Sequence, residues 1–418
     1  MTSQEILRQA FPDKSTPLIS YGLPFTEACV KHVNGTFKAS RVYLIASASL
    51  TKDTTHTFDL QKVLASRLVK TRVGMTPHTL ISEVLEIVQE CRDMEIDCIV
   101  TLGGGSLIDG AKIASFALAN NVQTQADLMT LPRLGPHTAN LPALPSKIPI
   151  ICIPTTLSGG QYTVFSGVTN NITHEKVQFS SPLASPSLII LSGPLACSTP
   201  LEIWLQSGMR GVDHCIETLS SLKSTDEVDQ SVLNSLKCLI PGLLLSAKGQ
   251  ANGGEGEEKA RLECQIGVSY AMLFLHRRVA CGASHGIGHM LGPMGKMNHG
   301  QTSCILLPAV CKFNAKHSTS NPEVLERQKV IEDTLWGIAE ARNLFERMGL
   351  SKEESDLGDL IEAVVKGLGL KSRLREVGVG KETFESLAEA SLRDPFLVTN
   401  CIPISKKEEV LEILEMCA

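Results

Sequence analysis

Apolar runs of strand length alternate with segments of helical periodicity through the first ~200 residues, the pattern of a parallel α/β sheet. Residues 41–46 (RVYLIA) predict a buried strand, and residues 60–68 an amphipathic helix after it. Residues 79–93 predict a second helix, 97–102 a second strand ending in three glycines, and 107–119 a third helix. Residues 148–154 predict another strand, closed by Pro154-Thr155-Thr156. Between these, residues 122–147 collect prolines and polar residues and read as a long loop. From about residue 200 the pattern becomes helical, with helices expected over 201–222, 231–248, 260–277 and 324–348 and shorter ones to the end. Residues 250–258 read as an exposed Gly/Glu-rich loop. The division this implies is an α/β nucleotide-type domain over 1–197 and an all-helical domain over 198–418, with a cleft between them.

The bulk properties narrow the class. A chain of 418 residues can hold two or three domains with buried cores. Hydrophobic content of 43% and charge of 20% are those of an ordinary globular protein. A net charge of −5 provides no basic field, which argues against a nucleic-acid partner. No apolar run reaches the ~18 residues that span a bilayer, and the first residues show no secretory signal, so no membrane partner is expected. The thirteen cysteines contain no CxxC pair, which fits reduced thiols in a cytoplasmic protein better than a zinc ribbon or a dithiol redox site.

Candidate chemistry gathers in three places. Gly103-Gly104-Gly105-Ser106 lies at a strand-to-helix junction, where the N–H groups of Gly104 to Ser106 favour a phosphate. A plain tight turn would use the same glycines, and the ordinary GxGxxG fingerprint is absent. Ser106 is expected to cap the helix with Asp109 at its third position, and Lys112, one turn on, either to reach a phosphate or to be solvated. The second place is the loop 154–163, where hydroxyls, glycines and an amide follow a strand. The third is the cluster of His285, His289 and His299, three of only eleven histidines in the chain. On a helix His285 and His289 share one face, and grouped imidazoles suit metal ligation or proton transfer.

These motifs, with His214 and Glu217 between them, occur in the same order in the iron-containing (group III) alcohol dehydrogenases, which the chain resembles from about Tyr21 to its end. The maleylacetate reductase branch is the most similar. The resemblance implies an α/β nucleotide-binding domain followed by an all-α domain, the dehydroquinate synthase-like fold of that family. It further implies a nicotinamide cofactor, a small-molecule substrate and a homodimer. Pyrophosphate contacts would fall on Gly104, Gly105, Ser106 and Asp109, with Thr155, Thr156 and Lys176 lining the rest of the cofactor site. His289 matches the family's non-ligand histidine beside nicotinamide and substrate. Where the family carries an acidic residue for the adenosine ribose, this chain has Ser47, which leaves NADP as open as NAD. Helix capping by Ser47 or Ser49 is the competing use of that position.

The metal site departs from the family. There an aspartate four residues before the first ligand histidine shares its helix face with it; here Arg210 stands four before His214. A guanidinium has no acceptor, and beside a cation it adds repulsion of about 4 kcal/mol at ~4 Å and an effective dielectric of ~20. Asp213 lies about 100° round the helix from His214 and does not replace the lost ligand on that face. The expectation is therefore no divalent metal; any retained ion would rest on His214, His285 and His299. Maleylacetate reductases likewise lack the aspartate. Arg210 is expected to bind a substrate carboxylate or enolate, unless it merely pairs with Asp213 or Glu217 on a helix surface.

The expected activity is metal-independent, NAD(P)H-dependent reduction of a carbonyl or conjugated alkene in a small anionic or enolisable substrate. His289 would be the general acid, with His214, His285 and His299 shaping the pocket or relaying the proton. Elimination or isomerisation without redox chemistry, a metal-dependent alcohol dehydrogenase and a non-catalytic binding protein are the competing readings.

Overall fold

The computed structural model describes residues 4–133, 142–173, 175–180, 182–249 and 255–418. The chain divides into two compact units, Met1–Thr199 and Pro200–Ala418.

The first unit is built on β1 (Ile6–Gln9), β2 (Leu18–Tyr21), β3 (Val42–Ala46), β4 (Leu68–Val73), β5 (Cys98–Gly103), β6 (Ile150–Pro154) and β9 (Leu188–Ile190). They form one sheet in the order β1-β2-β9-β6-β5-β3-β4, parallel except for the β1–β2 pair. β7 (Ser166–Thr169) and β8 (Lys176–Phe179) make a separate antiparallel hairpin. The connecting helices are α1 (Phe25–Lys31), α2 (Ala48–Asp53), α3 (His56–Leu64), α4 (Ile81–Asp93), α5 (Gly105–Ala119), α6 (Gln125–Leu128) and α7 (Gly193–Ala196).

β3, β5 and β6 are buried along their whole lengths, which is why they read as unbroken apolar runs. β4 was hidden by its composition. Leu68 does not end a helix but opens this edge strand, whose Lys70 and Arg72 pair with Glu90 and Glu86 of α4. Charges on an edge strand discourage further pairing and also mask it as a strand. The expected long loop contains α6, capped by Thr124 and Asp127.

From β3 the chain passes outward to β4 and then returns to β5 on the other side of β3. The carboxyl ends of β3 and β5 thus border the switch point at which open α/β sheets take their ligands.

The second unit is helical: α8 (Leu201–Ser220), α9 (Asp226–Gly249), α10 (Glu255–Ala271), α11 (Leu273–His276), α12 (Ala283–Gly295), α13 (His299–Lys316), α14 (Glu323–Gly337), α15 (Ala339–Arg347), α16 (Leu357–Gly367), α17 (Phe384–Ser391), α18 (Pro395–Thr399) and α19 (Lys407–Met416). Two expected long helices are each divided. The second breaks at Ile338, whose backbone is extended. Of the expected loop 250–258, residues 250–254 lie outside the described residues and the helix already runs from Glu255. No helix among the described residues is long and apolar enough to cross a membrane. α8 is buried almost continuously from Trp204 to Ser220. Its Asp213, His214 and Glu217 are therefore polar groups placed inside a core, where each requires a partner.

Candidate active site

In the first unit Ser47, Gly104 and Thr155, of the sequence-expected cofactor residues, follow adjoining strand ends. Ala46 and Leu102 are in register, as are Gly103 and Pro154. Ser47 follows β3, its N–H bonded to the Leu102 carbonyl at 2.9 Å, and Thr155 follows β6, its N–H bonded to the Gly103 carbonyl at 3.2 Å. Gly103 has φ +150°, and a Cβ there would stand 2.5 Å from Leu107 and 3.0 Å from Ser47. Only glycine fits this turn. Thr156 packs against Gly104. Asp109 accepts from the Ser166 hydroxyl of β7 at 2.7 Å. Lys176, on β8, lays its stem over Gly167 of the same hairpin.

Three local readings fail here. Ser106 does not cap α5. The cap position is Gly104, no side chain caps this helix, and Ser106 lies within its first turn. The first-turn N–H groups are thus not consumed by a side-chain oxygen, which suits an anion. Nor does Lys112 reach a phosphate or solvent. It is fully buried and donates to the Gly160 carbonyl, the Thr163 hydroxyl and the Phe165 carbonyl at 2.8–2.9 Å, with Asp109 at 3.3 Å. Its three N–H donors are used up in pinning the loop after β6 to α5. Burial pulls its ammonium below the usual lysine range, and Asp109 opposes that shift. Neither serine after β3 caps a backbone N–H: Ser47 occupies the N-cap position of α2 and its hydroxyl bonds that of Ser49 at 3.1 Å.

In the second unit the expected catalytic residues meet around α8, α12 and α13. Glu217 reaches from α8 to the start of α12 and accepts N–H bonds from Gly282 at 2.8 Å and Ser284 at 2.7 Å. It also accepts from His285 Nδ1 at 2.7 Å. Asn400 takes the N–H of Ala283 at 3.1 Å. The orphan donors at the start of α12 are thus satisfied by side chains from elsewhere in the unit, with a carboxylate at the positive end of the helix. Asp213 is fully buried and accepts from Ser303 at 2.5 Å and Ser284 at 3.2 Å; its Oδ2 lies 3.3 Å from His285 Nδ1 and 3.5 Å from Arg210. The Arg210–Asp213 pair is real, but it lies inside the unit and not on a helix surface: only 12% of the arginine side chain is exposed.

Electrostatics follows from this packing. Burial, with the Arg210 charge adding to it, holds both His214 and His285 well below the usual imidazole range. Burial pushes the Asp213 carboxyl up, and that of Glu217 to about 7. The carboxylates around Nδ1 place the His285 proton there, and the buried Nε2 has no hydrogen-bond partner. His214 stacks beside it, ring centroids 4.7 Å apart.

His289, like His299, is a partly exposed member of the cluster, its side chain 29% exposed. Its Nδ1 bonds Asp394 Oδ2 at 2.8 Å, and its ring lies 5.9 Å from that of His299 and 5.7 Å from that of Phe396. Sequence reasoning missed Asp394. The pair Asp394-Pro395 is a legible helix start, but nothing in a linear sequence ties it to a histidine 105 residues away.

The metal implied by the resemblance does not fit this donor set. Among the described residues, the group whose ligand-type atoms converge within 4.8 Å is Glu217, Cys281 and His285, not His214, His285 and His299. Glu217 already accepts three N–H donors, and Arg210 places a fixed positive charge in the same cluster.

Comparison with known proteins covers both units. The family described as iron-containing alcohol dehydrogenase matches residues 23–192, and the C-terminal part of the Fe-containing alcohol dehydrogenase family matches 204–418. The chain is 34% identical over 423 residues to dehydrogenase FUM7 of Gibberella moniliformis, covering 98% of each. Maleylacetate reductase from Rhizobium sp. superposes with a TM-score of 0.72 at 20% identity, over 96% of this chain and 95% of that one. Sulfoacetaldehyde reductase from Bifidobacterium kashiwanohense, solved in complex with NAD+, gives 0.75 at 19% identity over 96% of each. At such identities the two structures speak to the fold alone.

Proposed function

Because the chain belongs to the iron-containing alcohol dehydrogenase family and is an NAD(P)-dependent oxidoreductase of that type, we propose that it is a metal-independent reductase. Its substrate is a small molecule whose carbonyl or conjugated alkene carries, or develops, negative charge. The observation that supports this reading is Arg210. Where the family's metal chemistry needs an anionic ligand, this chain sets a guanidinium, tethered on one side by Asp213 and Ser303 and still partly exposed.

Gly104, Gly105 and Ser106 hold the pyrophosphate of the cofactor at the uncapped start of α5, with Asp109, Thr155, Thr156 and Lys176 around it. Ser47 provides no carboxylate to repel a 2′-phosphate, so NADPH is accepted as well as NADH. The bound reduced nicotinamide supplies the hydride. Arg210 stabilises the oxyanion that develops as the substrate carbon accepts it, the task a cation performs in relatives. His289 gives its Nε2 proton to that oxygen. His214 and His285 stay neutral beside Arg210 and shape the pocket, together with His299.

The test is turnover of a panel of small keto acids and enolisable carbonyls, followed at the absorbance band of the reduced nicotinamide with NADPH and NADH in parallel. Elemental analysis of the same preparation accompanies it. Oxidation of the nicotinamide with substoichiometric metal is expected. Product formed without any change in that band would point to the non-redox lyase or isomerase reading.

A further inference from the structure

The geometry points to Asp394 as the positioning residue that fixes the tautomer and orientation of His289. This rests on His289 being the proton donor proposed above.

The two oxygens of Asp394 do separate things. Oδ1 accepts the N–H of Phe396 at 2.9 Å and so caps α18, which locks the carboxylate to the backbone. Oδ2, aimed the other way, takes His289 Nδ1 at 2.8 Å. The carboxylate is only 10% exposed, so the bond is largely shielded from water. A carboxylate is acceptor-only, so Nδ1 must carry a proton in both charge states of the ring. Nε2 is then the nitrogen that holds and releases the exchangeable proton, and the fixed negative charge behind the ring faces the imidazolium that donates it. After transfer to the substrate oxygen the ring is left as the neutral Nδ1–H tautomer.

The helix that carries His289 is shaped for this contact. Gly286 lies one turn before His289 on α12. A Cβ there would meet the Leu397 side chain at 2.4 Å and Asp394 Oδ1 at 3.3 Å. The missing side chain leaves room for Leu397 of α18 beside Asp394. Phe396, two residues beyond Asp394, supports the rings of both His289 and His285.

Asp394→Asn separates capping from proton placement. The asparagine oxygen can still cap α18, but its amide then presents a donor to Nδ1 and forces the Nε2–H tautomer. The expected result is a kcat lower by roughly 10- to 100-fold with unchanged melting temperature and nicotinamide affinity. In the 15N spectrum of histidine-labelled protein, the neutral His289 ring should change from Nδ1–H to Nε2–H. Gly286→Ala, which leaves the carboxylate intact but crowds Leu397 and Asp394 Oδ1, should lower kcat in the same direction, and Asp394→Glu should recover part of the loss. A full kcat in Asp394→Asn beside a lost kcat in His289→Ala overturns the role of Asp394 alone. Full activity in His289→Ala overturns the assignment of His289, and this inference with it. A wild-type ring found as Nε2–H overturns the inference whatever the kinetics.

Discussion

The two units bury charge in opposite ways. In the first, Lys112 is alone among neutral acceptors; two carbonyls and a hydroxyl use all of its donors, and Asp109 stands at the edge. In the second, Arg210, Asp213, Glu217 and His285 satisfy one another across two helices, and buried atoms are left over: Asp213 Oδ1 and His285 Nε2 have no hydrogen-bond partner. A buried ion whose donors are all spent on carbonyls and a hydroxyl of a neighbouring loop is scaffold. A buried cluster with spare acceptors and shifted proton affinities is held ready for a ligand or a proton, which is the condition expected of a catalytic site.

Variants at three positions test that contrast. The largest effect is expected from Arg210→Ala, which should lower kcat by more than 10³-fold, above about 4 kcal/mol, while nicotinamide binding by fluorescence titration stays as it was. Lysine at the same position should not restore it, because a point charge lacks the planar fork. Equal loss of turnover and of cofactor binding would make the arginine structural and erase the difference between the units.

Lys112→Met should do the reverse. It leaves two carbonyls, Thr163 and Asp109 without their cation, and the unfolding free energy should fall by about 4 kcal/mol. Chemical denaturation reads this directly. A change below ~1 kcal/mol would mean that the buried ammonium does not hold the loop.

The smallest effect is in the pH dependence of stability. The Glu217 carboxyl stands at about 7 in the fold against 4.5 in an ordinary setting, with burial as the leading cause. The folded state thus binds that proton more tightly than the unfolded chain. The associated stability is complete below pH 4.5 and is lost as pH rises through 7. The unfolding free energy of the wild type minus that of Glu217→Gln should therefore fall by roughly 3 kcal/mol across that window. His214 and His285, held low, act with the opposite sign: their contribution is present above 6.5 and fades as pH falls. Both rings are present in the two proteins, so the difference reports Glu217 together with its bond to His285. A flat difference would show that Glu217 is ionised throughout, fully offset by its three N–H donors.

What could be read in the chain beforehand follows the range of the interactions. The buried strands β3, β5 and β6, the glycine turn and the helical second half were legible because apolar runs, periodicity and turn chemistry are local. β4 was missed because its edge charges break the apolar run. The split of the helix over 324–348 was missed because one residue in extended conformation leaves the periodicity intact. At the site, the replacement at Arg210 and the grouping of His285, His289 and His299 were visible as spacings along one helix or between neighbouring ones.

By itself, then, the sequence determined the class of each half, the order of the motifs and the departure of the metal-ligand set, all properties of residues close in the chain. Only the tertiary structure decided what each polar group does. It buried Lys112 as a staple, placed Asp213 inside the second unit and not on its surface, turned Glu217 into the cap of a distant helix and brought Asp394 behind His289. The reason is physical: a buried charge takes its meaning from the few atoms within about 3 Å of it, and in this fold those atoms come from segments tens of residues to more than a hundred away.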